Sequence, residues 1–164
     1  MDTVRNLEQE LKNEYQITKK FIENFPENKN DYQPHEKSEK LMPLATHVVE
    51  IFGWPDFMMN TEKLDFAAGD YQPTVLNSKQ DLMNLLDDGY KKSTEVLAGL
   101  KTEDLENQWK LTNGDVVLAD FNKYEAIRHA LNQITHHRAQ LGVYYRLNDI
   151  PLPASYGPSA DNHQ

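Results

Sequence analysis

Three polar residues on apolar helical runs are where this sequence could do chemistry. His47 lies in LMPLATHVVEIFGW, and Gln133 and His137 lie in ALNQITHHRAQLGVYYRL. An i, i+4 pair puts two side chains on one helix face, one turn apart. With one more donor from a facing helix, that spacing suits a catalytic metal: three protein ligands and an open position for water or substrate. At about 100° per residue, the apolar stripe of the last helix centres near Ile127, Arg138 and Tyr145. His137 falls about 80° from that centre and Gln133 about 120°, on the same flank. His47 falls about 60° from the centre of its own stripe, with Trp54 close beside it. His47 and His137 are therefore expected to meet at the edge of one bundle interior. The alternative is a pair of ordinary hydrogen-bonded histidines, because zinc prefers His, Cys or carboxylate and Gln133 is none of these.

The other candidates separate by the same count. His129 and His136 fall on the back of the last helix, facing solvent or another subunit, while His35 and His163 fall in loop and tail. Arg138 points inward, where a guanidinium is rare unless paired, so an acidic partner is expected. Tyr144 is expected in the core. The sequence contains no Gly-rich phosphate loop, no G-x-S-x-G and no paired-cysteine metal spacing.

Four long segments with helical apolar spacing must position these residues. They cover about 3–25, 38–60, 78–101 and 122–148. The first carries Val4, Leu7, Leu11, Thr18, Ile22 and Phe25 and stops before Pro26. In the second, Ser38 is a plausible N-cap, but Pro43 suits a first turn and moves the start towards Leu41. Gly53-Trp54-Pro55 should kink or end it. Ser78 opens the third. Asn122 and Glu125 form a capping box for the fourth. Residues 60–77 and 102–117 read as connections, with a turn at Asn113-Gly114, and DIPLPASYGPSADNHQ is an irregular tail. Four such helices in one domain, residues 1–164, predict an all-α up-down bundle.

The chain has 164 residues, a net charge of −9 and no cysteine. Disulfides, thiolate metal sites and a cysteine nucleophile are excluded. An acidic surface without a Lys/Arg cluster disfavours nucleic acid. No apolar run is long enough for a membrane span, and the polar start lacks a signal-peptide core.

The last helix and tail, YEAIRHALNQITHHRAQLGVYYRLNDIPLPASYGPSAD, resemble the C-terminal signature of the DinB family, whose superfamily includes YfiT-like proteins. DYQPHEKSEKLMPLATHVVEIFGW resembles the matching N-terminal part. The resemblance implies a four-helix up-down-down-up bundle, often a homodimer; the cytoplasm is expected from the lack of cysteine and of a signal-peptide core. It also implies a divalent metal, Ni²⁺ or Zn²⁺, held by three histidines at positions matching 47, 133 and 137. His47 and His137 fit; Gln133 stands where the family carries a histidine. The implied activity is metal-dependent transfer of a low-molecular-weight thiol, or hydrolysis, at an incomplete triad. The alternative is a non-catalytic, metal-free, stress-associated dimeric binding protein.

Overall fold

The computed structural model describes residues 2–161, so His163 lies outside the described residues. Helix α1 spans Thr3–Glu23. The Asp2 carboxylate accepts from the Arg5 backbone N–H at 3.1 Å and caps it. Val4, Leu7, Leu11, Thr18, Phe21 and Ile22 are buried at i, i+3, i+4 spacing. Helix α4 spans Lys79–Ala98, with the Ser78 hydroxyl accepting from Asp81 N at 3.1 Å. Helix α5 spans Lys123–Leu147. Its capping box is complete: Asn122 Oδ1 accepts from Glu125 N at 2.8 Å, and Glu125 Oε2 from Asn122 N at 2.9 Å.

The second segment differs from the single helix expected over 38–60. Helix α2 covers Leu41–Glu50 and is capped by Lys40 without a side-chain bond, so Ser38 is not the cap. A 3-10 turn, Ile51–Gly53, then leads into α3, Trp54–Asn60. Pro55 explains the break. It has no N–H to donate, its ring would clash with the carbonyl four residues earlier, and it is accepted in the first turn of the new helix. Gly89 of α4 lets the break pack closely, since a Cβ there would lie 2.8 Å from the Gly53 nitrogen.

The purely helical expectation is corrected by a small sheet built from the two presumed connections. Strands β1 (Lys63–Asp65), β2 (Gln108–Asn113) and β3 (Val116–Asn122) run in the order β1-β2-β3, with β1 parallel and β3 antiparallel to β2. The hairpin turns at Gly114, whose φ of 60° favours glycine. Asp65 holds that turn, accepting from Gly114 N at 2.9 Å and Ala67 N at 3.1 Å. Trp109 and Leu111 alternate with exposed Gln108 and Lys110. The Trp109 side chain is 3% exposed and donates from Nε1 to Thr61 Oγ1 at 3.1 Å. The protein is thus mostly helical, with a three-stranded sheet laid beside α3 and α5. No helix among the described residues is long and apolar enough to cross a membrane.

Candidate functional site

Helix α2 brings His47 to α5, and the two expected histidines do meet. The His47 and His137 rings lie 4.6 Å apart at 79°, edge to face. Trp54 sits beside them, its ring 5.6 Å from His47. His137 Nδ1 pairs with Gln140 Oε1 at 2.9 Å, which orients the imidazole. Burial holds the His137 pKa below the usual histidine range; the neighbouring His47 and His136 push the same way, while the Gln140 bond and Glu39 oppose. His137 is accordingly neutral at pH 7. His136 is exposed, as its position on the back of the helix requires.

Gln133 neighbours His129. Its Nε2 lies 3.4 Å from His129 Nε2, and both side chains line a cavity of about 440 Å³. His129 is therefore not on an outward face. The hairpin folds over that flank of α5, and Phe121 of β3 packs 5.5 Å from the His129 ring. The rest of the wall comes from three sources. Helices α2 and α3 supply His47, Glu50, Trp54, Phe57 and Met58. The sheet supplies Leu64, Trp109, Leu111 and Phe121. The loop after β1 supplies Phe66, Asp70 and Tyr71.

Glu50 is the residue the sequence reading missed. It is the one acidic side chain in the apolar run Leu41–Glu50, three residues after His47, and that spacing was a readable signal. Its carboxylate accepts from Tyr71 Oη at 3.3 Å and Thr74 Oγ1 at 3.4 Å, and lies 3.9 Å from His47 Nδ1. Burial, together with the Glu50 charge, pushes the Tyr71 phenol up to about 12, so it stays a neutral donor.

The donor set can be tested against a metal. Two imidazoles converge, but the third position carries an amide beside His129. Among the described residues no three His, Cys, Asp or Glu side chains gather into a metal-ligand group. The residues present do not fit a three-ligand catalytic centre.

The model of the DinB family matches residues 1–162. The chain belongs to the DinB family. Solved structures agree at the level of fold. A DinB-like protein of Bacillus subtilis superposes with a TM-score of 0.70 at 18% identity, covering 94% of this chain and 99% of that one. One of Bacillus cereus gives 0.72 at 16%, with the same shares. YfiT of Bacillus subtilis, described as a probable metal-dependent hydrolase with an unusual four-helix bundle topology, gives 0.63 at 11%, covering 90% and 89%. No curated protein matches. The DinB-family four-helix bundle thus accounts for the scaffold.

Proposed function

We propose that this DinB-family protein binds a small molecule in the cavity between α2, α3, α5 and the sheet, and that its metal site is reduced to two strong donors. The observation that supports this reading is Gln133: its amide lies 3.4 Å from His129 in the cavity wall, and it is no strong metal donor. The wall is predominantly aromatic, with a few polar groups, as in small-molecule sites. The up-down-down-up helix order, the cytoplasmic setting and the homodimer belong to the same reading. With His129 turned inward, the outer face of α5 left for a second copy carries His136, Val143 and Leu147, the last two 57% and 58% exposed.

A second reading, a divalent-metal-dependent hydrolase or thiol transferase, is favoured by the close approach of His47 to His137 and by the description of YfiT. It needs a third donor, and the Gln133 carbonyl oxygen is a weak one for Zn²⁺ or Ni²⁺. The two readings separate by metal analysis of protein purified without a histidine tag, followed by Zn²⁺ and Ni²⁺ titration. The first expects no stoichiometric metal and a Kd weaker than about 10 µM. Stoichiometric metal, or a Kd well below that, would establish the second.

A further inference from the structure

The charge balance of the cavity narrows what it can hold, and this inference rests on the small-molecule reading above. The wall contains two carboxylates, Glu50 and Asp70, and no lysine or arginine. The Glu50 side chain is 16% exposed. Its two protein hydrogen-bond donors are neutral hydroxyls at long range, from Tyr71 and Thr74. Among the described residues its one basic neighbour is His47, at 3.9 Å. A carboxylate so far withdrawn from water is ordinarily paired with a cation, as Glu14 is with Arg138 in this same molecule. Asp70 adds a second negative charge to the wall, its Oδ2 accepting from Asp65 N at 2.9 Å.

Six aromatic side chains share the wall with them: Trp54, Phe57, Phe66, Tyr71, Trp109 and Phe121. Aromatic faces attract a cation within about 6 Å of the ring centroid, and more strongly when water is excluded. The volume of about 440 Å³ suits a compact organic molecule. We propose that the cavity binds an organic ammonium ion, a protonated or quaternary amine on an apolar body, with Glu50 opposite the charge and the aromatic walls around the body. An anionic ligand, an anionic thiol included, meets two carboxylates and no lysine or arginine.

Both tryptophans of the chain, Trp54 and Trp109, line the cavity, so intrinsic fluorescence reports on this site. The test titrates the untagged protein with benzyltrimethylammonium, benzyl alcohol and phenylacetate, three benzyl probes that are cationic, neutral and anionic. The cation is expected to bind at least about tenfold more tightly than the alcohol, within the range of desolvated cation–π contacts, and phenylacetate more weakly than either. Glu50→Gln is expected to bring the cation to within about twofold of the alcohol, with an unchanged circular dichroism spectrum showing that the variant is folded. Equal affinity for cation and alcohol, tightest binding of phenylacetate, or an undiminished preference in Glu50→Gln would each overturn the assignment while the small-molecule reading stands. If none of the three probes alters the fluorescence, both readings fall. The wild-type ratio decides the question even if the variant does not fold.

Discussion

Helix α5 carries two polar clusters of opposite character. On one side Arg138, whose side chain is 3% exposed, lies 2.6 Å from Glu14 Oε2, off-line for a hydrogen bond but close as an ion pair. Arg138 also donates to Thr18 Oγ1 at 2.9 Å, and the Tyr156 hydroxyl of the tail donates to Glu14 Oε1 at 2.6 Å. Both charges there have a protein partner. On the other side Glu50, His47, Gln133 and His129 face a cavity, and the carboxylate has neutral hydroxyls where the first cluster has a guanidinium. The same helix thus closes one polar site for structure and leaves the other incomplete. An incomplete polar site costs stability unless a ligand completes it, which is why the second cluster, and not the first, is the functional candidate.

The contrast predicts unequal responses to mutation. Arg138→Met leaves Glu14 buried and unpaired; urea denaturation should record a loss on the order of 3–5 kcal/mol, and thermal melting a drop of about 10 °C. Adding Glu14→Leu should recover most of it, because a well-packed apolar pair replaces a buried ion pair at little cost. If the single variant were neutral, the first cluster would not be a closed structural unit.

Glu50→Gln should behave in the opposite way. The amide oxygen still accepts from the hydroxyls and no cationic side chain loses its partner, so stability should change by less than about 1 kcal/mol. A loss as large as that of Arg138→Met would place Glu50 in the framework and erase the difference between the clusters.

The smallest effect concerns pH. The folded-state pKa of His137 is held below the usual histidine range, chiefly by burial. The unfolded chain then takes up the proton first, so the contribution of His137 is present above about pH 6.5 and is lost as pH falls through the folded value. Urea midpoints from pH 7.5 to 5 should fall more steeply for the wild type than for His137→Gln. Equal slopes would mean that the ring is not held neutral by its surroundings.

What the sequence disclosed follows from how locally each feature is determined. Helices α1, α4 and α5 could be read because stripe and cap lie within a few residues of each other, as with Asn122 and Glu125. The approach of His47 to His137 could be read because each sits beside an apolar stripe that must face the bundle. The acidic partner of Arg138 followed from the cost of a buried cation. The sheet could not be read as easily. β1 has three residues, and β3 exposes Val116, Val117 and Leu118 in succession, which breaks the alternation expected of a half-buried strand. That omission also hid the cavity. By helical angle His129 lies on the back of α5, but the hairpin covers that flank and turns it into an inner wall. The QWKLT alternation around Trp109 was the one local clue to it.

We propose that His47 and His137 are two donors of a metal site whose third position is occupied by Gln133. Parallel calorimetric titrations of the wild type and Gln133→His with Zn²⁺, both untagged, test it most directly. Weak or undetectable binding is expected for the wild type and a gain of about 100-fold or more for the variant, as three imidazoles would complete a tetrahedral set with one open position. Tight binding by the wild type, or no gain in the variant, would contradict it.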